Sequence, residues 1–182
     1  MIQDTPLSYL YSQIENLSTY QLEKLCQIVL NDKAFLNGYG AKSHHHNFQG
    51  GLLVHTAEVL ENCLSVHLDY LDKDVLIVAA IWHDFLKKKD YALNEQNEIV
   101  YTTYKEQIHH ISGGWAEFYH QAKKMNIDEK FIERVGHCLL SHHGRKEYGS
   151  PVIPQTPEAS ILHWADSMSA FFQNGKYKEK TV

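Results

Sequence analysis

The chain has 182 residues, 43% of them apolar and 21% charged, and a formal net charge of −5. Such a chain is most simply one domain able to bury a real core, and its acidic balance excludes a generic nucleic-acid coat, which needs clustered Lys and Arg. No apolar stretch approaches the ~20 residues that span a bilayer, and the opening MIQDTPLSYL lacks the basic segment of a secretory leader, so a cytoplasmic protein with no membrane contact is expected.

In chain order, a first helix is read near residues 6–16. LSTYQL (17–22) then combines a Ser18/Gln21 capping box with a Leu17/Leu22 staple, opening a second helix to about Leu30. GGLLVHTAEVLENCLSVHL places Leu52, Leu53, Ala57, Leu60, Leu64 and Leu68 at helical spacing and predicts a helix over 51–69. Residues 74–86 are apolar nearly all round, the mark of a buried central helix. DYALNEQNEIVYT reads as a small hairpin, two short β-prone runs about a polar turn. Helices follow at about 108–125 and 129–142. A last one starts at Thr156 as N-cap, with Pro157 at the first position and Glu158 in the first turn. The final NGKYKEKTV is expected to fray. The sum is an all-α domain with one small β excursion near residues 90–101.

Cys26, Cys63 and Cys138 are odd in number and sit in apolar helical patterns, which favours reduced core thiols. The outlier in composition is histidine, with 13 in the chain. So many imidazoles beside so few cysteines suggest a metal site of imidazole and carboxylate ligands. They gather at the ends or inner faces of apolar helices. His55 lies within the third helix, and His83 and Asp84 close the charge-free run Val75 to Trp82. His109 and His110 open the next helix, His142 and His143 end the one after, and Asp166 sits inside the last. Adjacent residues on a regular helix point about 100° apart, so His83 and Asp84 reach one ion most easily where their helix is ending.

This order, H…HD…H…HH…D, resembles the HD superfamily of metal-dependent phosphohydrolases, and most closely the HD domain of YhaM-type 3′-5′ exoribonucleases. The matching stretches are HHNFQGGLLVHT (45–56), AAIWHDFLK (79–87), HHISGG (109–114), HCLLSHHGRKEYGSPVIPQTPEA (137–159) and LHWADSMSA (162–170). The resemblance implies an HD-domain helical bundle over 45–174, while the residues themselves read as a helical extension at 1–44 packed on it and a flexible tail at 175–182. It implies that His55, His83, Asp84 and Asp166 are the core metal set, and that His110, His142 and His143 hold a second ion with Asp84 bridging. His109 fits the family's register less well than His110. One or two divalent transition-metal ions suit such a set, with Mn, Fe, Ni, Co and Zn all open.

Lys87 stands where many members carry the lysine of an HDxxK motif, and with Asp84 it is expected to act in catalysis, its ammonium facing a phosphate oxygen. Arg145, Lys146 and His46 are further expected substrate contacts. His137 is expected to orient a ligand and His163 to back Asp166. Lys88 and Lys89 read as a solvated charge run, and His67 and His120 as surface residues. YhaM-type enzymes add an OB-fold, whereas the first 44 residues here read as helices without alternating strands or a basic-aromatic face. The expected activity is hydrolysis of phosphoester bonds in nucleotides or single-stranded nucleic-acid ends, with a larger assembly as one source of nucleic-acid grip. The alternatives are a non-catalytic metal-clamped regulatory module and a DNA-acting HD domain of a mobile element. The GYP signature of cyclic-dinucleotide enzymes is missing.

Overall fold

The computed structural model describes residues 5–43 and 46–172. His44, His45 and the tail expected to fray lie outside these residues. Helix α1 (Pro6–Ile14) begins at Thr5, whose hydroxyl accepts from the Ser8 amide while the Ser8 hydroxyl oxygen accepts from the Thr5 amide. Helix α2 (Tyr20–Leu30) starts one residue later than the expected capping box. Thr19 is the N-cap, accepting from the Leu22 amide, and Ser18 instead donates its hydroxyl to Asp74. A carboxylate from the distant Lys73–Trp82 helix outcompetes the local partner Gln21.

After the short α3 (Lys33–Leu36), α4 (Gly51–Leu64) and α5 (Lys73–Trp82) form the centre. Helix α4 stops at Leu64, not 69, because the next six residues are all exposed and Leu68, 44% accessible, finds no core to meet. Helix α5 buries Val75 through Trp82 without exception. It ends earlier than expected: His83 is the C-cap, and Asp84 leaves helical geometry at φ −112°, ψ 13° before a 3-10 turn over Phe85–Lys89.

The hairpin is present as expected. Strand β1 (Tyr91–Leu93) runs antiparallel to β2 (Ile99–Tyr101), with the Asn94 side chain accepting from the Gln96 and Glu98 amides in the turn. The stretch read as one helix from 108 is preceded by α6 (Thr103–Gln107), and α7 (His110–Lys124) begins after His109 takes a left-handed φ of 69°. Helix α8 (Glu129–Ser141) follows. The Thr156 hydroxyl then accepts from the Ala159 amide at the start of α9 (Pro157–Phe172).

One hydrophobic cluster runs from Leu10 in α1 to Ala165 in α9, so the N-terminal helices share the core of the rest. Cys26, Cys63 and Cys138 are buried free thiols within it. Among the described residues no helix is long and apolar enough to cross a membrane. Trp82 is fully buried, its ring edge-on to Phe85 and Phe118 at 4.9 and 5.5 Å between centroids. It is the last apolar residue before His83, so it fixes where the next side chains emerge. Trp82→Ala is expected to cost about 3–5 kcal/mol in urea unfolding, whereas Trp82→Phe costs far less; a small effect of the alanine would deny Trp82 this anchoring role.

Candidate metal centre

Five histidines approach one another from four elements, and each is tied down through the same ring nitrogen. Nδ1 of His83 lies 2.7 Å from the Ala80 carbonyl, and Nδ1 of His142 lies 2.7 Å from the Leu139 carbonyl. Nδ1 of His143 lies 2.7 Å from the Tyr148 carbonyl, and that of His110 lies 2.5 Å from Asp90 Oδ2. His55 completes the set. Its Nδ1 meets the Ser169 hydroxyl oxygen at 2.9 Å, and that hydroxyl donates to Glu58 at 2.8 Å. An acceptor at Nδ1 demands the proton there, which leaves Nε2 a bare lone pair in each neutral ring, the arrangement metal-bound imidazoles use.

The Nε2 atoms converge on Asp84, which is 1% exposed. Nε2 of His55 and of His83 are each 3.4 Å from Asp84 Oδ2. On the other carboxylate oxygen, Oδ1, Nε2 of His110 and His142 lie at 3.3 and 3.6 Å. Asp166 faces His55 Nε2 at 3.1 Å. Of three possible ligand groups among the described residues, two, His55–His83–Asp84 and Asp84–His110–His142–His143, share Asp84, and the third is Asp90–His109–His110. Within the second group, Asp84 Oδ1, His110 Nε2 and His142 Nε2 are buried without a hydrogen bond among the described residues. Buried polar atoms are rarely left so. Three lone-pair atoms facing one point are what a divalent cation needs, so the residues present fit an ion there.

The electrostatics agree with that fit at His83, His110 and His143, and differ at His55, where neighbouring carboxylates favour the protonated ring. Burial keeps His83 and His110 neutral by lowering their pKa, and burial with His142 alongside takes His143 down to about 3. Burial also opposes a charge on His55, but the Asp166 and Asp84 carboxylates outweigh it and raise its pKa to about 9. Burial likewise works against the Asp84 carboxylate. The Lys87 ammonium overcomes it and holds the group well below the usual carboxylate range. Lys87 Nζ is 2.6 Å from Asp84 Oδ2.

Several participants are invisible in the sequence pattern. Asp90, fully buried, orients His110 and is itself 3.1 Å from Lys105 Nζ. Burial pushes its carboxyl up to about 6. Glu58 and Ser169 form the chain behind His55, and His46 closes that chain, with Nε2 3.1 Å from Glu58. His46, expected to touch substrate, is 4% exposed and faces this interior chain. Gly51 makes the position possible: a side chain there would strike the His46 backbone.

Other expectations are corrected by contacts from far along the chain. His137 accepts from the Gln155 amide at 2.9 Å and pins the proline-rich loop, so it orients no ligand. His163 does not back Asp166; its Nδ1 is 2.8 Å from the His142 carbonyl. Its ring fills the space beside Gly144, whose φ of 78° and missing Cβ both matter there. Lys88 is not a solvated charge: Nζ lies 2.5 Å from Asp32 and 3.5 Å from the centre of the Phe85 ring. Lys89 is exposed, as are His67, His120, Arg145 and Lys146. His109 caps α7 and meets Lys105 Nζ at 2.8 Å through Nε2.

Asp90 gives a direct test. Asp90→Asn keeps the volume but removes the charge that fixes His110, and is expected to weaken Mn²⁺ binding about 10–100-fold in calorimetry, with the fold intact by circular dichroism. Unchanged affinity would mean that His110 needs no such support.

The comparisons with known proteins follow the same residues. The HD domain family matches residues 52–170. The chain is 36% identical over 140 residues to the 3'-5' exoribonuclease YhaM of Bacillus licheniformis, covering 76% of this chain and 44% of that protein. It is 33% identical over 159 residues to the protein of that name from Shouchella clausii, covering 86% and 47%. With the Bacillus subtilis protein of that name it shares 30% over 175 residues, covering 93% and 53%. The chain thus spans about half the length of these relatives. No solved structure matches it. With a family match that runs from α4 into α9 and takes in every residue of the cluster, the chain belongs to the HD domain family.

Proposed function

We propose that this protein is a metal-dependent phosphohydrolase that cleaves phosphodiester bonds at single-stranded nucleic-acid ends. His55, His83, Asp84 and Asp166 would hold one divalent transition-metal ion, and Asp84, His110, His142 and His143 a second. The observation that carries this reading is the shared Asp84, buried between two sets of imidazole Nε2 atoms, those of His110 and His142 having no hydrogen bond among the described residues. When bound, such ions lower the pKa of water and stabilise the attacking and leaving oxygens of a phosphoester.

The chain's own residues supply the rest. The Nδ1 bonds to Ala80, Leu139, Tyr148, Asp90 and Ser169 hold five rings in one orientation, so little reorganisation is needed when substrate arrives. Lys87, its side chain 14% exposed beside Asp84, is the cation placed to meet a phosphate oxygen as negative charge grows. Arg145 and Lys146 follow His143 on the open side and form a rim for flanking phosphates. The choice of nucleic-acid ends over mononucleotides is supported by the relatives, which are named exoribonucleases.

The test joins metal content with turnover. Asp84→Ala is expected to lose bound metal by elemental analysis and to digest a labelled RNA oligomer no faster than background. Lys87→Met is expected to keep its metal while kcat falls about 100-fold. Retention of metal and full activity by Asp84→Ala would overturn the site. Turnover of nucleoside phosphates with intact oligomers would overturn the substrate.

A further inference from the structure

Directly after Asp90 the chain leaves the buried centre and enters the hairpin. Its register sets Tyr91 opposite Tyr101 and Leu93 opposite Ile99. Residues two apart on a strand share a face, so these four side chains form one face while Ala92 and Val100 point the other way. The tyrosine rings are 5.8 Å apart between centroids and inclined by 30°. Tyr91 is the inner, half-buried member and an electrostatic neighbour of Lys87 and Asp84. Tyr101 is 51% exposed and Leu93 49%. Lys42 Nζ stands 4.9 Å from the centre of the Tyr101 ring. An aromatic face therefore begins directly after Asp90, which holds His110, and runs outward under a surface cation.

A cross-strand aromatic pair stabilises a hairpin on its own account. That role requires neither exposure of Tyr101 nor a lysine over it. Both features match a nucleotide, whose base has an apolar π-face and whose phosphate is anionic. Stacking on aromatic side chains also tolerates any base, as a single-strand grip must. The net charge of −5 makes the local cations the more pointed: Lys42 and Lys87 flank this face at its outer and inner ends.

We propose that the Tyr91–Tyr101 face is a base-stacking subsite for a nucleotide beside the scissile phosphodiester of a single-stranded nucleic acid, with Lys42 meeting its phosphate. The inference rests on the phosphodiesterase reading above and supplies the grip on a single strand that the acidic chain otherwise shows little of. Tyr91 stacks nearer the centre and Tyr101 carries the outer contact.

The experiment measures binding, so it reads the subsite whether or not turnover occurs. Fluorescence anisotropy is recorded with the metal-loaded protein and a labelled single-stranded RNA oligomer whose terminal linkages are phosphorothioates. A second oligomer is identical but abasic at its last two positions. Wild type is expected to bind the first at least tenfold more tightly. Tyr101→Ala should weaken binding of the intact oligomer about tenfold and leave the abasic one unchanged, and Tyr101→Trp should restore it. Metal content and circular dichroism of both variants should match wild type. Equal affinity of wild type for the two oligomers, or equal loss of both in Tyr101→Ala, overturns the subsite. The phosphodiesterase reading fails separately, when wild type cleaves no oligomer with ordinary linkages.

Discussion

The structure turns on one carboxylate that the interior should not tolerate. Asp84 is 1% exposed and surrounded by imidazoles. Removing such a charge from water costs several kcal/mol even after relaxation, unless paired charges and hydrogen bonds offset it. Lys87 supplies one counter-charge at 2.6 Å, on Oδ2. Oδ1 receives no hydrogen bond among the described residues, although two bare imidazole nitrogens lie within 3.6 Å of it. Lone pairs facing lone pairs repel, and a divalent cation between them would relieve that repulsion.

Helix ends deliver most of the candidate ligands. His83 caps α5, His142 caps α8, and His110 is the first residue of α7. At an end the backbone has left or has yet to enter the regular repeat, so neighbouring side chains can turn toward one point. Asp84 shows the effect at ψ 13°, just outside α5, where it and His83 both reach the centre. The two C-terminal ends share a further economy. Each cap histidine bonds the carbonyl three residues earlier, so the helix's own unsatisfied acceptor fixes the ring. His55 and Asp166 instead come from the bodies of α4 and α9, which bring Ser169 and Glu58 into line behind His55.

This explains what could be read from the sequence and what could not. The helices and the hairpin follow from local periodicity, and the residues of the cluster stand out as polar groups in apolar surroundings. Their supports do not, because Asp90 meets His110 across 20 residues and Ser169 meets His55 across 114. No spacing rule reaches that far. The lysine run shows the same limit at short range. Three adjacent lysines look alike in sequence, but the 3-10 turn has about three residues per revolution and spreads them around its axis. Lys87 then meets Asp84, Lys88 packs on Phe85 against Asp32, and Lys89 stays in solvent near Tyr104. His163 departs from the expectation for a related reason. Its three-residue spacing from Asp166 put the two on neighbouring helix positions, while the ring is captured by the His142 carbonyl 21 residues away.

The charge balance also bears on how an acidic chain could attract a polyanion. The candidate ligands contribute only two carboxylates, Asp84 and Asp166, and the five imidazoles bring no charge once they bind through neutral Nε2. Two divalent cations together with Lys87 would therefore leave the centre net positive. Low-dielectric walls, here the buried Val75–Trp82 stretch of α5 behind His83, strengthen such a field. Arg145 and Lys146, two and three residues after His143, are exposed. Such a centre would attract a phosphate even though the chain carries a net charge of −5.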